Sequence, residues 1–117
     1  MSDVEKPSHN VGTKLLFEND RVRVWDMTLQ PGQSSERHLH ESDYLFVTLL
    51  DAQITLFPSD GPPETSRATP LGVEYTEVGK GIAHRLQNTG STVHREILVE
   101  LKGPSRSAVP NEPESNR

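Results

Sequence analysis

Three histidines separated along the chain carry its most specific chemistry. His38 and His40 stand one residue apart in Arg37-His38-Leu39-His40. On an extended strand alternate side chains leave by the same face, so both imidazoles can bind one metal ion. His84 lies far along, in Gly79-Lys80-Gly81-Ile82-Ala83-His84-Arg85-Leu86-Gln87-Asn88, and meets the other two only if a β-fold brings two strands together. The chain has no cysteine, which excludes disulfides, thiolate ligands and cysteine nucleophiles at once. Any metal is therefore held by nitrogen and oxygen donors, a set that suits iron, zinc, manganese, nickel or copper. No nucleophile elbow, phosphate-cradling glycine loop or dinucleotide fingerprint occurs, which argues against hydrolase, kinase and dehydrogenase readings.

Strands must position these residues, and the chain is rich in strand signals. Runs with β-branched and aromatic residues occupy residues 14–17, 21–29, 44–50, 53–57, 73–78 and 93–101. No long segment has helical periodicity. Glu18-Asn19-Asp20 and Gln30-Pro31-Gly32-Gln33 read as turns, and Asp60-Gly61-Pro62-Pro63 opens a long surface loop ending near Pro70. Many short strands with such turns indicate a sandwich or barrel. Residues 1–10 and 103–117 are polar and proline-bearing, with too little apolar surface to offset the entropy of ordering, so flexible tails are expected on either side of one domain at residues 11–102.

Composition narrows the partners. A chain of 117 residues that is 32% hydrophobic builds one modest core. A homodimer made through flat strand edges, the N-terminal strands foremost, would relieve that shortage. With a net charge of −5 and its twelve basic residues scattered among seventeen acids, the chain lacks the clustered basic face of a nucleic-acid partner. No apolar stretch reaches membrane-spanning length and the first residues lack a secretory signature, so a cytoplasmic protein that takes a small-molecule substrate is expected.

The two histidine segments resemble the motifs of the cupin superfamily. Its first motif reads G-x5-H-x-H-x3,4-E-x6-G, and Gly32, His38 and His40 match it; its second reads G-x5-P-x-G-x2-H-x3-N, and Gly81, His84 and Asn88 match that. The likeness spans roughly residues 11–101. It implies an all-β, single-domain double-stranded β-helix, or jelly-roll, barrel with one metal on His38, His40 and His84. This chain departs from the pattern at four places. Tyr44 stands where the family places a glutamate ligand, Asp51 replaces the closing glycine, Gly79 replaces the proline, and the leading glycine of the second motif is Gly72, one place early.

Strand parity leaves two readings of the corner after His40. If the phase survives Glu41-Ser42-Asp43, Tyr44, Phe46 and Thr48 line the interior beside the metal; if it slips by one, Leu45, Val47 and Leu49 do, and Asp43 approaches the ligand position. Tyr44 is expected as a wall of the active site whose hydroxyl serves a bound ligand, since a phenol is a poor metal donor near neutrality. Trp25 and Phe17 read as core. His94 reads as outward, with Val93, Ile97, Val99 and Leu101 inward. Arg85 faces away from the metal by alternation, Glu77 reads as a surface carboxylate, His9 belongs to the tail, and Asn88 is a turn residue.

Replacing the glutamate by tyrosine raises the charge of a divalent centre from +1 to +2, counting neutral imidazoles. Such a centre attracts anions and leaves positions open for substrate and dioxygen. By resemblance, three-histidine cupins include diketone-cleaving, acetylacetone-dioxygenase-like enzymes, and the run from Phe17 to Trp25 followed by Pro31-Gly32 and His38-x-His40 is similar to that group. The expectation is an Fe(II) dioxygenase for a small anionic or enolisable compound such as a β-diketone. The alternatives are a non-redox isomerase, lyase or hydrolase using zinc, manganese or nickel, and a binding protein without turnover.

Overall fold

Short runs of alternating side chains, broken by glycine, proline and asparagine turns, fold into nine strands among residues 7–108, which the computed structural model describes. They are β1 (Lys14–Glu18), β2 (Val22–Leu29), β3 (His38–His40), β4 (Asp43–Leu50), β5 (Ala52–Pro58), β6 (Glu64–Ala68), β7 (Val73–Thr76), β8 (Ile82–Asn88) and β9 (His94–Leu101). A short 3₁₀ turn at Arg106–Ala108 follows. Every strand pairing is antiparallel, in one sheet of order β1-β2-β9-β4-β7 and another of order β3-β8-β5-β6. No helix among the described residues is long and apolar enough to cross a membrane.

Alternation decides what each strand buries. Trp25, Met27 and Leu29 of β2 turn inward, as do Leu86 and Asn88 of β8 and Leu98 of β9. One apolar cluster joins Val11, Trp25, Tyr44, Val78 and Leu98; a second joins Met27, Leu29 and Leu86. Gly12 is where the chain passes closest to this core: a Cβ there would sit 2.5 Å from Cβ of Trp25.

Several expectations are corrected. His94 lies inside, fully buried, and the inward set of β9 is His94, Glu96, Leu98 and Glu100, while Ile97, Val99 and Leu101 take the outer face. Apolar residues on that outer face imitated an inward pattern. Phe17 is 54% exposed on β1, not core. The loop from Asp60 to Pro70 contains β6, whose polar residues pair along β5, with Thr55 and Thr65 hydroxyls 2.8 Å apart; a polar edge strand leaves no hydrophobic trace in sequence. Most of the expected tails lies outside the described residues. Within them, Ser8 donates its N–H to Arg37 O at 2.9 Å, and Ser105 is buried against Asp43.

Asn88 behaves as its place before Thr89-Gly90-Ser91 suggests. Fully buried, it donates from Nδ2 to Leu29 O at 2.9 Å and Thr92 O at 2.7 Å, and its Oδ1 accepts from Gly90 N at 3.0 Å. It thus ties the end of β8 to both β2 and the turn into β9. Asn88→Ala should lower unfolding stability by about 2–4 kcal/mol in urea titrations, because it orphans buried backbone groups at about 1–3 kcal/mol each. A loss below about 0.5 kcal/mol would show that the turn is held without it.

Candidate metal centre

The three histidines predicted as ligands converge. β3 and β8 pair with His38 directly opposite His84, and His40 follows two residues on, facing the same side. The turn into β8 sets this register: Gly81 has φ +117°, a conformation that glycine tolerates best, and its N–H bonds to Val78 O at 2.8 Å. Ring centroids lie 4.7–4.8 Å apart for all three pairs, with interplanar angles of 76–88°. All three rings are buried and can each offer one nitrogen within 4.8 Å of the others.

The tautomers suit ligation. His38 Nδ1 lies 3.0 Å from Glu36 O, so Nδ1–H donates there and the Nε2 lone pair is left for the interior. Burial keeps all three imidazoles neutral. It holds His84 down at about 4 and His40 at about 2, the neighbouring histidines adding to both, and holds His38 below its usual value as well. Nε2 of His40 and of His84 lie 3.0 Å apart, and His40 Nδ1 has no partner among the described residues. Three neutral imidazoles satisfy one another poorly. A divalent ion fits this donor set, since two nitrogens at right angles around an ion with bonds of about 2.1 Å stand about 3 Å apart.

Of the two parities for the corner, the first holds. Tyr44 and Thr48 are buried and Phe46 lies between them on the inner face. Tyr44 stacks on His40 with ring centroids 4.0 Å apart and 17° between planes, which fixes the His40 ring. Burial raises the phenol above its usual value, and the carboxylates of Glu96 and Glu74 push the same way, so Tyr44 is un-ionised near neutrality. Asp43 points elsewhere: it accepts from Val78 N at 3.0 Å, Arg106 N at 2.6 Å and the Ser105 hydroxyl. Burial opposes ionisation there, yet these bonds hold its carboxyl below the usual range.

A cavity of about 260 Å³ opens beside the histidines. Met27, Phe46, Ile54, Leu56, Leu86 and Leu98 form its apolar wall, and Glu64, Glu74 and Glu96 also line it, with no lysine or arginine among the described residues. Glu96 is the residue that sequence reasoning missed; the misread phase of β9 had placed it outside. The other expected outsiders are where alternation put them. Arg85 lies over the Phe57 ring, 3.9 Å from its centroid, and donates to Ser34 Oγ; Glu77 accepts from Tyr75 OH; His9 pairs with Glu41 on the surface.

Without bound metal, these depressed values make the fold acid-sensitive. Unfolded imidazoles protonate near 6.5, whereas His84 stays neutral to about 4 and His40 to about 2, so the unfolded state binds more protons between those limits. Stability from these groups is complete above about pH 6.5 and falls as pH drops below it. Urea unfolding of chelator-treated protein should show a midpoint that declines from pH 7 to pH 5. A midpoint that rose over this range would contradict the burial of neutral histidines.

No protein-family model matches the chain, and no curated protein matches it. Solved structures do. A cupin domain from Bordetella pertussis is 24% identical with a TM-score of 0.69, covering 86% of this chain and 100% of that one. An RmlC-like cupin family protein with a double-stranded β-helix fold from Methanocaldococcus jannaschii is 17% identical, with a TM-score of 0.63 over 90% of this chain and 93% of its own. A sugar phosphate isomerase from a cupin superfamily, from Silicibacter pomeroyi, is 17% identical with a TM-score of 0.54 over 72% of this chain and 52% of its own. Identities this low establish architecture, and the chain has the cupin double-stranded β-helix fold.

Proposed function

We propose that the protein is a metal-dependent cupin dioxygenase, with one Fe(II) on His38, His40 and His84, acting on a small enolisable compound such as a β-diketone. The convergence of three buried neutral imidazoles without a carboxylate carries this reading. Bound iron would supply the dioxygen chemistry. The chain supplies the rest. Glu36 O holds the His38 tautomer, Tyr44 holds the His40 ring, and side chains from Met27 to Leu98 give the cavity an apolar wall. A cavity of about 260 Å³ suits a small substrate, lying just below the ~300 Å³ at which drug-sized pockets begin. Its three glutamates disfavour a compound that arrives as an anion, which narrows the expectation to one that enters neutral.

A non-redox reading, an isomerase or lyase with zinc, manganese or nickel, uses the same ligands. The Silicibacter pomeroyi neighbour is described as a sugar phosphate isomerase, but a phosphorylated substrate would meet a cavity lined by three glutamates and, among the described residues, by no lysine or arginine. Metal identity separates the two readings. Protein purified anaerobically without a tag should carry about one iron per chain, and each of His38→Ala, His40→Ala and His84→Ala should weaken metal retention by about tenfold or more. The iron form should consume oxygen with a β-diketone. Tyr44→Glu, which restores the family's ligand type and fills a position, should keep the metal but slow uptake by about tenfold. Iron protein inert to oxygen across a panel of diketones and keto acids would leave the non-redox reading.

We also propose a homodimer. The outer face of the five-stranded sheet carries an apolar row across every strand: Phe17 opposite Val24, Val24 opposite Val99, Val99 opposite Leu45, and Leu45 opposite Tyr75. Val73, Val47 and Ile97 form the row beside it, and Phe17, Val73 and Tyr75 are each more than half exposed. Such a face favours a self-complementary contact. Sedimentation should show a dimer at micromolar concentration, shifted to monomer by Val73→Glu. A wild-type monomer under those conditions would end the proposal.

A further inference from the structure

The cavity presents one buried carboxylate that the proposed ligand set does not use. Glu96 is 4% exposed and lines the cavity from β9. Across the ladders it faces Met27 on β2 and Thr48 on β4, neither of them charged. Its partner is on its own strand: His94 Nε2 lies 2.7 Å from Glu96 Oε1. His94 is itself fully buried, and its Nδ1 has no partner among the described residues. No hydrogen bond from the described residues reaches Oε2. The other ionisable groups lining the cavity are Tyr44, Glu64, Glu74 and the three histidines.

A carboxylate offers about four lone-pair sites, and one bond from an imidazole leaves most of them free to meet a ligand in the cavity. Glu100 on the same strand takes two donors on its Oε1, Trp25 Nε1 at 2.8 Å and the charged Arg23 Nη1 at 3.3 Å, and does not line the cavity. Glu96 lines the cavity and has no lysine or arginine partner among the described residues. At Glu96 the imidazole anchors one oxygen and leaves the other free, which is the arrangement of an oriented general base.

We propose that Glu96, anchored by His94, takes the proton from a neutral carbon acid bound in the cavity, so that the substrate class is a β-dicarbonyl compound that ionises only after it enters. The C–H bond between the two carbonyls breaks, and its proton passes to Glu96 Oε2. The electron pair stays on the substrate as an enolate shared by the two carbonyl oxygens. One negative charge moves from protein to substrate and the net charge of the cavity is unchanged.

This inference rests on the reading of the cavity as a site for enolisable compounds, and the experiment keeps the two apart. Zinc-loaded protein, held anaerobic so that no turnover intervenes, is titrated calorimetrically with acetylacetone in two buffers of different ionisation enthalpy. Ultraviolet absorbance reports the enolate. Wild type should bind the enolate and release almost no protons to buffer, whereas Glu96→Gln, which keeps the shape but accepts no proton, should release about one per ligand. Equal proton release by both proteins overturns the role of Glu96 while leaving the cavity's ligand class intact. Failure of wild type to bind acetylacetone overturns the ligand class and the inference with it. Should Glu96→Gln not fold, infrared difference spectra of wild type decide: ligand binding should add the carbonyl stretch of a protonated carboxyl group, and its absence overturns the proposal.

Discussion

The site depends on one cross-strand pair, His38 opposite His84. The residues are far apart in sequence and meet only because β3 and β8 are antiparallel in this register. A strand has a period of two, so a slip of one residue in β8 would turn His84 outward and bring Arg85 in, replacing a lone pair by a fixed cation. Both ends of β8 are pinned against such a slip. Gly81 closes the entering turn at positive φ, and Asn88 bonds β2 and the following turn from a fully buried position. On the other side β5 pairs along β8 with Pro58 opposite His84. The glycine and asparagine of the second motif thus act on register and stand outside the three-histidine cluster.

A barrel this small would ordinarily be filled by apolar side chains, yet its interior holds four histidines, two glutamates, an aspartate and an asparagine. Burying such groups costs free energy unless each is paired. Most are: Asp43 by three donors, Asn88 by three backbone groups, and Glu100 by Trp25 and Arg23. The unpartnered buried side-chain nitrogens are Nδ1 of His40 and Nδ1 of His94. One belongs to the candidate metal centre and the other to the imidazole that anchors Glu96. Polar groups tied to backbone and side-chain donors hold the barrel together, while the two unpartnered nitrogens sit in or next to groups that line the cavity.

The all-β architecture and the three-histidine cluster were legible because they rest on short-range rules: turn residues, strand composition, and two motifs whose spacings carry fold information. Tyr44 beside His40 followed from parity once one of two phases was chosen, but the choice needed the corner's geometry. What escaped was β9. In Val93-His94-Arg95-Glu96-Ile97-Leu98-Val99, aliphatic residues fall on both parities, and the outer set, Ile97, Val99 and Leu101, is the more hydrophobic. Periodicity therefore pointed the wrong way, hiding both His94 and Glu96. The outer face of the five-stranded sheet is apolar as well, and sequence patterns do not distinguish such a face from a core. β6 escaped for the opposite reason, being too polar to register as a strand.

The exchange of the family's glutamate for Tyr44 is best understood through where the negative charge went. A glutamate ligand would neutralise one charge of a divalent ion and occupy one of its positions. Tyr44 does neither, because burial keeps its phenol protonated and its ring lies flat on His40. Carboxylates are still present: Glu96 within the wall, and Glu64 and Glu74 along the same cavity. They would act on a bound ion through space, where the low-dielectric interior lengthens the reach of charge. A positive centre there would be balanced without a ligand being spent on it. For the proposed chemistry this matters more than the charge itself, since substrate and dioxygen compete for positions on the metal and not for its field.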